Sequence, residues 1–211
     1  MILQNVFTQV FFGKFVQADN PSKIQIGDGT CIGESVWMNT CFQNSSIVIG
    51  ANALIGRRSV ISASGHLGIG SFCVLSPNVY ISDVNHKHTD IMLPILDQGV
   101  STRDEVIIEE NCWIGINSVV MSSIGRGSTI GANSVVIDVV PPFSLAVGNP
   151  ATVKRMYNPM TKTWDSISFP EDIKKMLEVR TKVGIPNKLD YHSILCQNSR
   201  VKLGLWAAGC T

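Results

Sequence analysis

The sequence contains no long run of basic residues, and its formal net charge is only +1 at pH 7. A protein that binds nucleic acid needs a concentrated positive surface for the phosphates, so nucleic acid is not an expected partner. Aromatic residues are also scarce, at 7% of a chain that is 45% hydrophobic. We therefore expect a soluble globular protein whose core consists of aliphatic and small side chains.

The first residues lack both the basic start and the clean apolar stretch of a secretory signal peptide, so we expect a cytoplasmic protein. Four apolar residues would share one face if this segment were helical, and such a face would allow weak peripheral membrane association: Phe7, Val10, Phe11 and Phe15. We favour the alternative that residues 1–23 form a cap segment that covers one end of the domain or packs on another subunit.

Most of the chain also lacks helical or simple strand periodicity, and a six-residue repeat takes its place. Each repeat begins with an aliphatic residue, usually has glycine second, and carries a small residue fifth. The first positions are Ile26, Ile32, Ile49, Ile55, Ile61, Ile69, Leu75, Ile108, Ile114, Ile124 and Ile130. A six-residue period fits a triangular coil in which each hexapeptide forms one short strand and one corner.

The repeat predicts an all-β fold, a parallel β-helix over residues 24–155, in which the first and fifth positions face a shared interior. Glycine at the second position indicates a corner with unusual backbone angles or with a close approach of the backbone. Cys73 and Cys112 occupy the small interior position, and the remaining cysteines show no pair spacing, so we expect reduced thiols. Since stacked coils bury their core only against each other, both ends need caps.

One long interruption of the repeat runs from about residue 82 to 105 and begins with the segment DVNHKHTD at Asp83. It is bounded by repeats on both sides, so we expect it to project from the coil as a loop. Long excursions from a regular scaffold are more often functional than decorative. Beyond Arg155 the repeat ends, and residues 156–211 form a small, partly helical C-terminal extension.

Two features stand out in this extension. The residues Ser168 to Glu171 resemble a capping box, and apolar spacing predicts a helix that continues to about Thr181. After Gly184 only a short strand around Val201–Trp206 is predicted.

Several motifs follow the order found in one enzyme family. These are Asn85-His86 in the loop, VIIEENCWIG at 106–115, IGRGSTIGANSVV at 124–136 and PPFSLAVGNPA at 141–151. On these motifs, about residues 24–165 resemble the left-handed β-helix hexapeptide acyltransferases. The similarity is greatest to the branch with galactoside, maltose and xenobiotic acetyltransferases, and within it to bacterial polysaccharide O-acetyltransferases. The left-handed sense is implied by the resemblance alone, because the usual crossover rule predicts the opposite hand.

The resemblance implies acetyl-CoA as co-substrate, no metal requirement, a homotrimer with active sites between subunits, and a carbohydrate acceptor. It places the catalytic histidine at His86, with His88 as the alternative if the loop alignment slips by two residues. A neutral imidazole, with an ordinary pKa of about 6.5, can take a proton from a sugar hydroxyl as the oxygen attacks the thioester. Asp83 and Asp90 are the candidates to orient the imidazole.

The resemblance also implies a CoA slot between coils and basic partners for the CoA phosphates. Ile137 and Thr152 depart from the family, which often has threonine and a basic residue there, so the phosphate contacts fall mainly to Lys154 and Arg155. The predicted cofactor residues are Trp113, Gly115, Ile116, Ala132, Ile137, Thr152, Lys154 and Arg155.

Three alternatives remain open on the sequence. The first is a related acyltransferase with another acceptor, such as an amino sugar, serine or an antibiotic. The second is a metal enzyme resembling the γ-carbonic anhydrases, although His66, His86 and His88 match the required zinc spacing poorly. The third is a non-catalytic trimeric scaffold that does not bind acetyl-CoA. We expect His66 and His192 to be structural.

Overall fold

The computed structural model describes residues 9–102 and 105–199, and the main body of the protein is a parallel β-solenoid of about seven turns. Its three faces are named A, B and C in the order in which each turn visits them. Face A contains the strands Phe11–Phe12, Cys31–Ile32, Leu54–Ile55, Val74–Leu75, Trp113–Ile114, Thr129–Ile130 and Ser144–Gly148. Face B contains Gln17–Ala18, Trp37–Thr40, Val60–Ala63, Tyr80–Ser82, Val119–Val120 and Val135–Val136. Face C contains Ile24–Ile26, Ser46–Ile49, His66–Ile69 and Glu105–Ile108, continued by bridges at Ile124 and Val140.

The interior is built as the repeat predicts. Every first-position residue of the hexapeptides is at most 8% exposed, and these side chains stack from coil to coil. The fifth-position hydroxyls are also buried, and they link neighbouring coils by hydrogen bonds. The Ser128 hydroxyl, for example, donates to the Pro141 carbonyl (2.9 Å) and accepts from the Ser144 amide (3.1 Å). The all-β parallel β-helix is therefore confirmed, and its small interior residues also satisfy backbone groups at the corners.

The corners show which of the two reasons for glycine applies, and it is close approach. The second-position glycines have ordinary backbone angles, and the left-handed residue is at the fourth position, as in Asn78, Asn117 and Asn133. The second position needs glycine for space, because a Cβ on Gly115 would lie 2.5 Å from the Ala132 nitrogen. Asparagine at the fourth position fits because it tolerates the left-handed region better than most residues.

The N-terminal end of the solenoid begins earlier than predicted. Phe11–Phe12 pairs in parallel with Cys31–Ile32, and Gln17–Ala18 pairs with Trp37–Thr40. These residues form an additional coil that covers the core, so a helix at Phe11 is wrong and the helical face considered for membrane contact is absent there. Phe7 lies outside the described residues.

The expectation of reduced thiols is wrong for Cys31, which is disulfide-bonded, whereas Cys41, Cys73, Cys112 and Cys196 are free.

The C-terminal end reverses direction after Gly148. The strand Ala151–Asn158 runs antiparallel to Ser144–Gly148 and pairs in turn with Thr163–Ser166. Helix α1 follows at Pro170–Val183. Its buried Arg180 donates to the carbonyls of Tyr157, Pro142 and Phe143, and burial lowers the pKa of this guanidinium to about 10. The helix is thereby fixed to the last coil.

The predicted start of α1 is displaced by one residue. Its N-cap is Phe169, and the carboxylate of Asp172, rather than that of Glu171, accepts from the Ser168 and Phe169 amides. A second helix, α2, spans Lys188–Asn198 and was not predicted. The predicted strand at Val201–Trp206 lies outside the described residues. Within the described ranges, neither helix is long and apolar enough to cross a membrane.

Candidate active site

The long interruption of the repeat forms a hairpin that leaves the solenoid at the corner between faces B and C. Its strands are Val84–His86 and Val100–Thr102, which pair antiparallel with His86 opposite Val100. A short 3₁₀ helix at Ile95–Gln98 lies near the tip. The segment is therefore an ordered arm with its own hydrogen bonds.

Asp83 anchors the base of this hairpin. Its side chain is buried, with 3% of the residue exposed. The Ser64 amide donates to its Oδ1 and the Gly65 amide donates to its Oδ2, both at 2.6 Å. Because both carboxylate oxygens hold the neighbouring coil, the structure gives Asp83 an anchoring role and does not support its predicted role in orienting His86.

Gln98 organises the far end of the hairpin and was not singled out from the sequence. Its side chain accepts from the Asp90 amide (3.0 Å) and donates to the carbonyls of Asp90 (2.8 Å) and Leu93 (3.0 Å). The Asp90 carboxylate accepts from the Met92 amide (2.9 Å). Asp90 is thus also committed to the loop backbone, and no sequence signal identifies this glutamine because its partners are backbone groups.

The two loop histidines are both exposed on this arm. His86 ends the first hairpin strand, and its carbonyl oxygen lies 3.2 Å from His88 Nδ1. This contact holds the His88 ring near the backbone. The contact is a hydrogen bond when the His88 ring carries a proton on Nδ1, because the carbonyl oxygen can only accept. The His86 imidazole is presented outward from a paired strand, which suits a group that must reach a bound substrate.

The tip of the arm is strongly apolar. Its five aliphatic side chains are 51–93% exposed: Ile91, Met92, Leu93, Ile95 and Leu96. Contiguous exposed apolar residues mark interaction surfaces more often than scattered ones. We refer to these five residues as the tip cluster.

The predicted cofactor residues fall into two groups. The first group lines the corner between faces A and B. Trp113 is 55% exposed on face A, and its indole N–H donates to the Ser76 hydroxyl (3.2 Å). Ile116 and Ala132 occupy this corner on successive coils, joined by the Asn133 amide, which donates to the Ile116 carbonyl (2.9 Å). Gly115 lies buried beneath them.

An amide ladder that the sequence analysis missed runs along the same corner. Asn78 Nδ2 donates to Asn117 Oδ1 (3.0 Å), and Asn117 Nδ2 donates to Asn133 Oδ1 (3.2 Å). The repeated asparagine at the fourth position was the available signal. The ladder fixes the spacing of the coils on the edge where the slot is predicted.

The second group surrounds a cavity of about 420 Å³ between the last corner and the start of α1. Thr152 and Lys154 line it, together with Asp138 and Phe169. Arg155 is exposed on the same strand, and Ile137 is exposed on the last corner that leads to Asp138. The structure thus brings Thr152 and Lys154 together at one cavity. The group around Trp113 lies at a different corner, and His86 lies on the projecting arm.

Comparison with known proteins agrees with this architecture. A family model described as the hexapeptide repeat of succinyl-transferase matches residues 46–83 and 105–138. The unmatched residues between these segments are those of the projecting arm. A protein of Mycobacterium tuberculosis described as a probable acetyltransferase is 34% identical over 149 residues, which cover 68% of this chain and 49% of that protein. The chain belongs to the hexapeptide-repeat acyltransferases.

Two further similarities were found for this hexapeptide acyltransferase, one in sequence and one in fold. WbbJ of Escherichia coli K12, a candidate O-acetyltransferase of lipopolysaccharide biosynthesis, is 29% identical over 154 residues, covering 69% of this chain and 78% of WbbJ. A crystal structure of a mutant of AntD, an N-acyltransferase from Bacillus cereus in complex with dTDP and coenzyme A, shares the fold with a TM-score of 0.60. The identity to AntD is 16%, and the match covers 86% of this chain and 95% of that one.

The chain spans about half the length of its mycobacterial relative. Within the described residues, no group of three or more His, Cys, Asp or Glu side chains is placed to hold a metal ion. His66, one of the histidines considered for a zinc site, has its Nδ1 2.8 Å from the Ser46 hydroxyl oxygen.

Proposed function

We propose that this protein is an acetyl-CoA-dependent O-acetyltransferase that acts on a sugar hydroxyl of a bacterial surface polysaccharide or its precursor. The observation that carries the proposal is the anchored arm, which presents an exposed imidazole at the long break in the hexapeptide repeat. The similarity to WbbJ supports the oxygen nucleophile and the polysaccharide acceptor.

The proposed reaction is direct transfer with His86 as general base. The His86 imidazole takes the proton of the sugar hydroxyl while the oxygen attacks the thioester carbonyl carbon. The carbon–sulfur bond then breaks, and CoA leaves as its thiolate. A backbone N–H in the cleft would stabilise the oxyanion of the tetrahedral intermediate. An acetyl thioester is already activated, so the chemistry requires neither a metal nor a covalent enzyme intermediate.

Acetyl-CoA fits the two groups of cofactor residues. The corner between faces A and B offers Trp113 and successive backbone groups at Ile116 and Ala132 for the pantetheine arm. The cavity beside α1 offers a hydroxyl from Thr152 and a cation from Lys154 for the phosphates, and Arg155 lies on the same strand. Asp138 lines this cavity as well, so its carboxylate would have to lie away from the phosphates.

The apolar tip cluster supports a homotrimer with active sites between subunits. Five exposed aliphatic side chains at the end of an ordered arm bury their apolar surface when they pack on a second copy of the chain. In such an assembly, His86 on the arm of one subunit would face the cofactor residues of its neighbour. This arrangement accounts for the separation of the two within a single chain.

Replacing Ile91 and Leu96 together with aspartate should convert the proposed trimer to monomers, because two charges in an apolar contact are costly to desolvate. Light scattering coupled to size exclusion gives the assembly state directly. Met160→Asp is the matched control, since Met160 is an exposed hydrophobic residue (66%) outside the arm. A wild-type monomer, or a double variant that remains a trimer, would contradict the role of the tip cluster.

CoA release from acetyl-CoA tests the activity across a panel of sugars, nucleotide sugars, amino sugars and oligosaccharides. We expect release that depends on a hydroxyl-bearing sugar, with acetyl ester formation confirmed by mass. Release of CoA only with amine acceptors would indicate an N-acyltransferase and would contradict the proposed O-acetyltransferase. Failure to bind acetyl-CoA in calorimetry would overturn the enzyme and favour a non-catalytic scaffold.

A further inference from the structure

A cysteine, a histidine and a glutamate are aligned where α2 crosses the solenoid, outside the candidate active site. Cys196 Sγ lies 3.4 Å from His192 Nε2, and His192 Nδ1 lies 3.0 Å from Glu110 Oε1. The thiol can therefore donate to one ring nitrogen while the other donates to the carboxylate. An activated nucleophile has this geometry, in which the nucleophile is hydrogen-bonded to a base and the base to an acid that orients it.

The fold holds this imidazole in place from several sides. His192 and Cys196 are one helical turn apart on α2, whereas Glu110 belongs to the corner between faces C and A. The neighbouring Tyr191 hydroxyl accepts from Asn111 Nδ2 (2.6 Å), and the Phe72 ring lies 6.2 Å from the His192 ring. The spacing of one turn within α2 thus brings the thiol to the imidazole, and packing of the helix against the coil brings the imidazole to Glu110.

Glu110 is suited to stabilise positive charge on the imidazole. Its side chain is only 12% exposed. Its Oε2 is buried and has no hydrogen-bond partner among the described residues. A buried carboxylate with one oxygen unsatisfied gains most from a cationic neighbour. The protonated imidazole formed when the thiol gives up its proton would be such a neighbour.

We propose that Cys196 is a reactive thiol and a site of covalent modification by small disulfides, with His192 as its base and Glu110 as a positioning residue. His192 Nε2 takes the thiol proton, and the Cys196 sulfur attacks one sulfur of the disulfide. The disulfide's S–S bond breaks, a protein mixed disulfide forms, and the leaving thiolate takes up the proton. The small disulfide is the oxidant, and nothing else is consumed.

The chain provides its own controls. Cys41 is also free and exposed, but its sulfur contacts only weak partners that the structure describes, Asn39 Nδ2 and Ser62 Oγ, both at 3.5 Å. Cys73 and Cys112 are buried, and the hydrogen bond with Cys73 together with burial raises the pKa of the Cys112 thiol. Cys196 and Cys41 are therefore both exposed, and the feature that distinguishes Cys196 is the neighbouring His192 imidazole.

The test measures the rate at which oxidised glutathione adds to each thiol of the full chain, with peptide mass spectrometry resolving Cys196 from Cys41. We expect Cys196 to react about tenfold or more faster than Cys41 near neutral pH. His192→Asn should bring the Cys196 rate to within about twofold of the Cys41 rate, and Cys41 should not change. The ratio within the wild-type protein decides the question even if a variant folds poorly.

The positioning role of Glu110 has a separate readout. Glu110→Gln keeps the shape of the side chain but removes its charge, so the pH dependence of the Cys196 rate should shift toward that of Cys41. Other titratable or charged groups near this site are Tyr191, whose pKa is raised mainly by burial, and Arg126, which pairs with Glu109. The Cys112 thiol also lies nearby and donates to the Glu110 carbonyl (3.8 Å). Equal rates at Cys196 and Cys41 in the wild type, or a Cys196 rate unaffected by His192→Asn, would overturn the proposal.

Discussion

Substitution of His86 by alanine is expected to lower kcat for acetyl transfer by about 10²–10⁴-fold. The reason is that a sugar hydroxyl does not ionise near neutrality, so the attacking oxygen needs a base as its bond to carbon forms. Binding of acetyl-CoA should change little, because the predicted CoA residues are on the coils and not on the arm. Acceptor-dependent CoA release gives kcat, and calorimetry with acetyl-CoA gives the binding constant.

His88→Ala is the matched control for this experiment. His88 is on the same arm, is also exposed to solvent, and has its Nδ1 beside the His86 carbonyl. We expect it to retain activity within a few-fold of wild type. If His88→Ala abolishes transfer and His86→Ala does not, the base is His88 and the motif alignment is displaced by two residues. If neither variant loses activity, the loop imidazoles are not the base.

The solenoid could be predicted from the sequence because its repeat is dictated by packing. Ile32, Ile55 and Leu75 repeat one coil apart, and their fully buried side chains form a column in the interior. The first coil escaped notice because phenylalanine replaces the aliphatic residue. Phe12-Gly13 follows the pattern, and a Cβ on Gly13 would lie 2.6 Å from the Glu34 nitrogen, as at the later corners.

The arm could be predicted as an interruption, but its internal contacts could not. The partners of Asp83 and Gln98 are backbone groups, and those of Asp83 lie on the neighbouring coil, about 20 residues away in sequence. A periodicity in side-chain type carries no information about such bonds. Helix α2 could not be predicted because none of its residues is buried. Single contacts hold it, such as the hydrogen bond between Asn111 and Tyr191 and the edge-on ring contact between Phe143 and Tyr191. The reactive thiol at Cys196 depends on that helix and was therefore invisible in the sequence.

Substitution of Asp83 by alanine is expected to reduce the free energy of unfolding by about 2–4 kcal/mol. The variant removes a buried carboxylate and leaves the Ser64 and Gly65 amides without the acceptors that each now has at 2.6 Å. Because the same carboxylate fixes the base of the arm, kcat should fall as well. Urea unfolding measures the first effect, and CoA release measures the second. Asp90→Ala is the control, since that exposed carboxylate accepts only from Met92 among the described residues.

Asp83→Asn separates anchoring from orientation of the imidazole. Asparagine keeps one oxygen acceptor but turns an amide N–H toward the second backbone donor, so an anchoring role predicts loss of stability together with loss of activity. A role in orienting His86 predicts a different combination, a large fall in kcat and a changed pH profile with stability near that of the wild type. Since both carboxylate oxygens are already occupied by backbone amides, we expect the first outcome. The aspartate would then support catalysis only through the position of the arm that carries the base.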